Sequence, residues 1–319
     1  MATAATGDGG TTAPLRPASR LRTYLELVRF SHTIFALPFA ISATLLAASR
    51  GIDPGIAAGP GGWLRPAAGI LLCMVAARTA AMAFNRLVDR TIDAANPRTA
   101  GRHLPRGDVA AAEVLGLVVA SSTAFVAATL LFLPNWLPLV LSIPVLAWLL
   151  GYSYAKRFTA LAHLWLGAAL GFAPVAAWIA LRGHTVLAAP ADLLPAALLG
   201  AAVTLWVAGF DVIYACQDAA FDAAHGLRSI PARLGVPRAL ALAKWLHAAT
   251  LVVLAVVPTV VPELGPIYWT AWAAIAGLLV WEHALVRPDD LSKVNQAFFT
   301  ANAAIGLVLL AAIAADLAI

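Results

Sequence analysis

The sequence is poor in charged residues. Only 12% of its 319 residues are Asp, Glu, Lys or Arg, whereas 61% are hydrophobic, and the mean hydropathy is +0.84. A soluble domain cannot bury so much apolar surface, and a chain in lipid must satisfy its backbone polar groups internally. The composition therefore excludes an ordinary soluble domain and predicts an all-α integral membrane protein.

Cysteine is nearly absent. Cys73 and Cys216 are the only two, and both lie in or at the end of apolar segments. A structural disulfide is not expected, and no paired Cys or His spacing typical of zinc sites exists. The formal net charge of +5 is explained by basic loops between membrane spans, so no nucleic-acid partner is predicted.

Nine apolar windows are long enough to cross a bilayer, which takes about 20 helical residues. They lie near 26–48, 67–88, 110–132, 136–154, 160–181, 193–215, 238–258, 266–286 and 294–318. Positive residues are retained in cytoplasmic loops. With the N-terminus inside, the outer loops hold only Arg50, Arg65 and Arg182. We therefore expect a multi-pass protein of the cell inner (plasma) membrane with its N-terminus in the cytoplasm.

The first nineteen residues are rich in Ala, Thr, Gly and Pro and have no apolar core of signal-peptide type. We interpret residues 1–19 as a disordered cytoplasmic tail. Residues 20–319 are predicted to form a single transmembrane domain.

The end of the second apolar window carries stacked polar residues. Asn85, Asp89 and Asp93 follow one another at four-residue intervals, which places them on one helical face. A cationic segment comes directly afterwards, with Arg98, Arg102, His103 and Arg106. This order suits a polyanion that is held through a divalent metal ion.

A second copy of this pattern lies 129 positions later. Asp218 and Asp222 repeat the spacing of the first two carboxylates, and both copies continue as Asp-Ala-Ala. Asp211 and Tyr214 precede them at positions that share the same helical face. Two matched carboxylate helices predict a duplicated half and one site shared between the halves.

Four carboxylates at two helix ends would repel one another without a cation. Such hard oxygen ligands suit Mg²⁺, which binds through one or two carboxylates together with substrate phosphates. Metal and arginine charge would stabilise a departing diphosphate. A diphosphate substrate that belongs in a membrane has a lipid tail, and an isoprenoid is the obvious one.

Three further basic residues are candidates for the site. Arg78 lies seven residues before Asn85 on the same face, inside a span, where an arginine is costly unless it is paired or faces a wet cavity. It could bind a substrate carboxylate or form a structural ion pair with an acidic partner. Lys156 and Arg157 could be topology charges or phosphate contacts.

The segments "NRLVDRTID" and "DVIYACQDAAFD" resemble the two acidic motifs of the UbiA superfamily of intramembrane prenyltransferases. The resemblance extends over nearly the whole chain after the tail. It implies a nine-helix bundle around a central cavity that opens to the cytoplasm. It also implies Mg²⁺-dependent transfer of a polyprenyl group from polyprenyl diphosphate to a small aromatic acid.

Carried over to this sequence, the resemblance gives each candidate residue a role. The Mg²⁺-diphosphate group would be bound by Asn85, Asp89, Asp93, Asp218 and Asp222. The phosphates would be contacted by Arg102, Lys156 and Arg157. Asp211 and Tyr214 would face the reacting carbons or the acceptor phenol, and we assign the acceptor carboxylate to Arg78. The chain departs from the family pattern at Arg86, where many relatives have Asp.

Several alternatives stay open at this stage. The acceptor could be 4-hydroxybenzoate, in ubiquinone biosynthesis, or a dihydroxynaphthoate, in menaquinone biosynthesis. Prenyltransferases of the haem O or chlorophyll synthase type have similar motifs. A membrane CDP-alcohol phosphotransferase and a cation-coupled transporter are less favoured, since neither matches the position and spacing of the Asp pairs. The prenyl chain length, the oligomeric state and the choice of base or positioning ligand for Asp211 are not determined by the sequence.

Overall fold

The computed structural model describes residues 17–29, 35–58 and 61–319, and these ranges contain helices and no β-strand. The helices are α1 (Pro17–Leu27), α2 (Leu37–Ser49), α3 (Pro54–Ala57), α4 (Leu64–Val88), α5 (Arg90–Ala95), α6 (Ala111–Thr129), α7 (Leu137–Ala155), α8 (Ala162–Ala188), α9 (Leu194–Ala215), α10 (Ala219–Ala224), α11 (Ile230–Leu234), α12 (Val236–Val260), α13 (Pro266–Leu285), α14 (Val294–Gln296) and α15 (Asn302–Asp316). The predicted all-helical membrane class is confirmed.

Seven helical segments of the described chain are long and apolar enough to cross a membrane. They are Leu64–Val88, Ala111–Phe132, Leu137–Ala155, Ala162–Ala188, Pro190–Ala224, Val236–Val260 and Val294–Asp316. The other two predicted windows correspond to the shorter apolar helix α2 and to the 20-residue helix α13. The count of nine spans and the inside position of the N-terminus therefore stay predictions.

The predicted helix over residues 26–48 is wrong in its first part. Helix α1 ends at Leu27, and Arg29 has a φ of 50°, in the left-handed region that does not continue a helix. Helix α2 begins only at Leu37, with Pro38 in its first turn. Of the predicted tail, residues 1–16 lie outside the described residues, and residues 17–19 belong to α1.

Helix α8 extends beyond the predicted end of its span at residue 181. It continues to Ala188 through a kink at Arg182, whose φ is −130° and ψ is 29°. The Arg182 guanidinium donates to both carboxylate oxygens of Asp192, at 2.9 and 2.8 Å. This largely buried ion pair fixes the turn between α8 and α9.

Close helix contacts hold the centre of the bundle together. A Cβ atom added at Gly167 of α8 would lie 2.2 Å from the carbonyl oxygen of Thr204 in α9. One added at Gly171 would lie 2.5 Å from the carbonyl oxygen of Gly200. Small residues allow such backbone approach in membrane helices. The α8 and α9 pair therefore forms a rigid wall, and both helices carry site residues towards the same end of the bundle.

Candidate active site

The first acidic motif lies where α4 ends. The predicted continuous helix breaks at Asp89, whose φ is −89° and ψ is 4°, and the short helix α5 follows with Asp93 in its first turn. The hydrogen bonds from the Asp89 amide to the Asn85 carbonyl, at 2.9 Å, and from the Asp93 amide to the Asp89 carbonyl, at 2.7 Å, persist across the break. The three motif residues are thus presented by a helix end rather than by a helix face.

The second motif has the same construction. Helix α9 carries Asp211 and Tyr214 and ends at Ala215, a 3₁₀ turn follows, and Asp218 precedes the six-residue helix α10. Asp89 likewise precedes the six-residue helix α5. The repeat read from the sequence therefore includes the break in the helix, which the sequence pattern had not indicated.

The two motifs face each other across one site. The Asn96 side-chain amide, just after α5, donates to Asp218 Oδ1 at 3.0 Å. Arg98 donates to the same oxygen at 2.8 Å and to the Tyr214 hydroxyl at 2.9 Å, and it forms an ion pair with Asp218. Burial alone would lower the pKa of the Arg98 guanidinium, but these hydrogen bonds raise the pKa above its ordinary value. Arg98 therefore stays charged and connects the segment after the first acidic motif to the second motif.

Basic residues already pair with the first-motif carboxylates. Asp89, whose side chain is 3% exposed, accepts from Lys156 Nζ at 2.6 Å and from Arg157 Nη2 at 3.2 Å. Arg102 Nη1 lies 2.7 Å from each carboxylate oxygen of Asp93. The three residues predicted to contact phosphate thus lie beside the carboxylates predicted to hold metal.

Asp211 has a partner that the sequence analysis missed. His163, at the start of α8, is 5% exposed and places Nδ1 2.7 Å from Asp211 Oδ2. The Ile230 amide donates to His163 Nε2 at 3.3 Å, so Nε2 carries a lone pair and Nδ1 carries the proton. The imidazole therefore donates to Asp211 and fixes the orientation of that carboxylate.

A cavity of about 310 Å³ lies between these groups and is also lined by apolar side chains of the helices. All the predicted site residues line it except Arg157, which reaches Asp89 from outside the cavity. Its deeper wall is apolar and includes Leu166, Leu170, Val207 and Phe210. The cavity thus joins a charged mouth to an interior suited to a hydrocarbon chain.

Arg78 lies deeper in this cavity than the first motif. Its Nη2 donates to the Arg29 carbonyl at 3.1 Å, and its Nε is buried without a hydrogen-bond partner in the described part of the chain. No carboxylate of the described residues lies within 4.0 Å of it, so the predicted alternative of a structural ion pair finds no partner there.

The donor atoms fit Mg²⁺ when phosphate oxygens complete its coordination. The motif side chains supply carboxylate and amide oxygens, the type that this ion prefers. Among the described residues, however, no three His, Cys, Asp or Glu side chains converge closely enough to hold a metal ion alone. This is the arrangement expected when one or two carboxylates and substrate phosphates share the coordination of Mg²⁺.

The helical membrane fold, with two acidic motifs facing each other across a cavity that is also lined by apolar side chains, defines a membrane protein with one acidic site built from two repeated motifs. The chain belongs to the UbiA prenyltransferase family, whose model matches residues 36–304. The predicted family membership is thereby confirmed.

Individual relatives agree with this family. The chain is 32% identical to a 4-hydroxybenzoate octaprenyltransferase of Methylococcus capsulatus, over 93% of this chain and 96% of the relative. It is 31% identical to the enzyme of that name from Paraburkholderia xenovorans, over 94% and 98%. A UbiA homolog from Aeropyrum pernix K1 matches 90% of this chain and 98% of its own, with 37% identity and a TM-score of 0.77.

A more distant solved structure shares the fold. It is a UbiA homolog from Archaeoglobus fulgidus bound to DMAPP and Mg²⁺, with 19% identity and a TM-score of 0.65, and the match covers 93% of this chain and 99% of the homolog.

Proposed function

We propose that this protein transfers a polyprenyl group from polyprenyl diphosphate to the ring of a small aromatic acid, with 4-hydroxybenzoate as the acceptor in ubiquinone biosynthesis. The observation that carries the proposal is the cavity that joins paired carboxylates and basic residues to an apolar interior. The names of the relatives support 4-hydroxybenzoate as the acceptor. The reaction would take place at the cytoplasmic face of the plasma membrane, as the distribution of Lys and Arg predicts.

Both motifs would hold the substrate diphosphate through Mg²⁺, using Asn85, Asp89, Asp93, Asp218 and Asp222. Bound there, Mg²⁺ supplies positive charge that stabilises the departing diphosphate. Lys156 and Arg102 lie within hydrogen-bond distance of the carboxylates in the structure. They are placed to donate to phosphate oxygens instead, as is Arg157 at the rim of the site.

The apolar wall would protect the reacting carbon. Cleavage of the allylic C–O bond leaves a delocalised cation, which water would capture in an open site. Leu170, Val207 and Phe210 line the cavity and would exclude water from the reacting carbon. A ring carbon of the acceptor then forms the new C–C bond, and the ring loses a proton. Asp211, oriented by His163, is placed to accept that proton or to position the acceptor phenol.

Replacing Arg78 by Leu is expected to raise the KM for the aromatic acid by about tenfold or more, since a charge-assisted contact to its carboxylate is lost. The KM for the prenyl diphosphate should change less than threefold, because the diphosphate is bound by the motif groups. Steady-state kinetics with each substrate varied in turn checks this prediction. Arg78→Lys keeps the charge and should recover part of the acceptor affinity. Equal changes in both KM values would contradict the assigned role.

The acceptor is tested by prenyl transfer in isolated membranes that contain the protein, Mg²⁺ and a polyprenyl diphosphate. We expect 4-hydroxybenzoate to be prenylated and 1,4-dihydroxy-6-naphthoate to be a poor acceptor. EDTA should abolish transfer. Prenylation of the naphthoate alone would instead assign the protein to menaquinone synthesis. If neither acid is prenylated, the proposed function is wrong, and a flux assay in proteoliposomes would then test the transporter alternative.

A further inference from the structure

A second cavity lies beside the active-site cavity. It has a volume of about 750 Å³ and is lined by the end of α1, by Arg86 of α4 and by the segment 98–104. The two cavities share Arg29, Arg86, Arg98 and Arg102. We call the larger one the basic cavity, because Arg22, these four arginines and His103 supply its polar lining together with Glu26.

The charge of the basic cavity is not balanced by its own residues. Glu26, the one carboxylate among the described residues that line it, accepts from Arg22 Nε at 2.7 Å and lies 3.3 Å from His103 Nε2. Arg98 and Arg102 are paired with carboxylates of the active site. Within the described ranges, neither Arg29 nor Arg86 has a carboxylate within 4.0 Å. Among the described residues, these two arginines at the junction of the cavities therefore form no ion pair.

Arg86 is the more informative of these two because it is only 8% exposed. Its Nε donates to the Leu27 carbonyl at 3.3 Å, and in the described part of the chain no acceptor is found for its two terminal nitrogens. These two nitrogens are not fully buried, since they are not among the buried unpaired atoms. Arg102 Nε, in contrast, is buried without a partner among the described residues, and a buried charged group is costly unless its donors are hydrogen-bonded. Both guanidinium groups thus have donors available for an anion.

We propose that the basic cavity is a second anion site, which binds a phosphate or diphosphate group directly through Arg86 and Arg102 and needs no metal ion. Metal is unnecessary because the lining is cationic, whereas the active-site mouth is rich in carboxylates that would repel a bare phosphate. The phosphate or diphosphate group could come from two sources. One is the free diphosphate that prenyl transfer would release, so this source rests on the proposed function. The other is the headgroup of a phospholipid.

The location of α1 makes the lipid source accessible. Leu21 and Leu25 of α1 are 63% and 40% exposed, as expected for a helix that lies at a membrane surface. The same part of α1 lines the basic cavity through Arg22, Leu25 and Glu26. A headgroup beside α1 and a diphosphate in the active-site cavity could therefore both reach the arginines that the two cavities share.

The test is calorimetric titration of inorganic diphosphate into the full-length protein in phosphatidylcholine nanodiscs with EDTA, so that the metal-dependent site does not contribute. Wild-type protein should bind, and Arg86→Gln should weaken binding by about tenfold or more, through loss of charge-assisted hydrogen bonds. Arg86→Lys keeps the charge and should recover part of the affinity. Arg90→Gln is the matched control, because Arg90 is exposed and lines neither cavity; its binding should equal that of the wild type.

Nanodiscs that also contain phosphatidylglycerol separate the two sources. If free diphosphate is the ligand, its affinity stays the same in both lipids. If a headgroup is the ligand, phosphatidylglycerol competes with diphosphate and is retained by the purified wild type but not by Arg86→Gln. Either outcome supports an anion site at Arg86. The proposal is overturned if folded wild type and Arg86→Gln bind diphosphate equally, or if neither ligand binds. This readout contains no prenyl transfer, so it is independent of the outcome of the acceptor assay.

Discussion

Asp89→Asn is expected to lower kcat for prenyl transfer by roughly a thousandfold or more, the scale seen when a charged group of an active site is lost. Asp89 is 3% exposed and accepts hydrogen bonds from Lys156, Arg157 and the Asn85 amide. The amide replacement keeps the size of the side chain but removes the negative charge that holds the cations and would bind Mg²⁺. Transfer assays at saturating substrate and variable Mg²⁺ measure the effect.

Asp108→Asn is the matched control for this variant. Hydrogen bonds from His103 and Arg106 lower the pKa of Asp108, so this substitution also removes a carboxylate that is charged at neutral pH. Asp108 does not line the active-site cavity, and its variant should retain wild-type kcat. Because loss of one partner can destabilise a buried ion pair by about 3–5 kcal/mol, the Tm of both variants must be measured. A folded Asp89→Asn protein with near wild-type kcat would contradict the assignment of the first motif.

Gly167→Val should prevent the protein from folding into its stable form. The added Cβ atom would lie 2.2 Å from the Thr204 carbonyl oxygen, and neither backbone can move aside without separating α8 from α9. Overpacking of a core by a methylene group costs about 1–3 kcal/mol, and a contact this short against backbone should cost more. We expect no monodisperse peak in size-exclusion chromatography in detergent.

Gly116→Val and Gly277→Val are the matched controls for this effect. Both glycines lie inside helices, and a Cβ atom at either position meets nothing within 4 Å. The two control variants therefore differ from the wild type in helix propensity alone, and both should give folded protein. A Gly167→Val protein that elutes and melts like these controls would show that α8 and α9 do not require this close approach.

The sequence predicted the parts of the site that depend on local pattern. The acidic motifs could be found because carboxylates are rare in apolar segments and because their spacing recurs 129 positions later. Arg78 stood out for the same reason. The structure places the predicted residues around one cavity, apart from Arg157 at its edge. Their roles in binding metal, phosphate and acceptor stay predictions.

The features that the sequence did not reveal depend on contacts between distant segments. His163 lies 48 positions from Asp211, and a lone histidine near a helix start carries no local signal of that partner. Arg98 was recognised only as part of a cationic segment, although it joins Asp218 and Tyr214 to the first motif. Hydropathy also started the first span at residue 26, within the end of α1 and before α2 begins at Leu37, since it does not register the left-handed backbone of Arg29.

We propose that the paired carboxylates and their basic neighbours bind a prenyl diphosphate through Mg²⁺. This binding is tested most directly by measuring the Kd of a non-reactive prenyl thiodiphosphate analogue in nanodiscs. The Kd is measured with Mg²⁺ and with EDTA, for the wild type and for the double variant Asp89→Asn, Asp218→Asn. We predict that Mg²⁺ strengthens binding to the wild type by about a hundredfold or more and has little effect on the double variant. Equal affinity of the wild type with Mg²⁺ and with EDTA would contradict the claim.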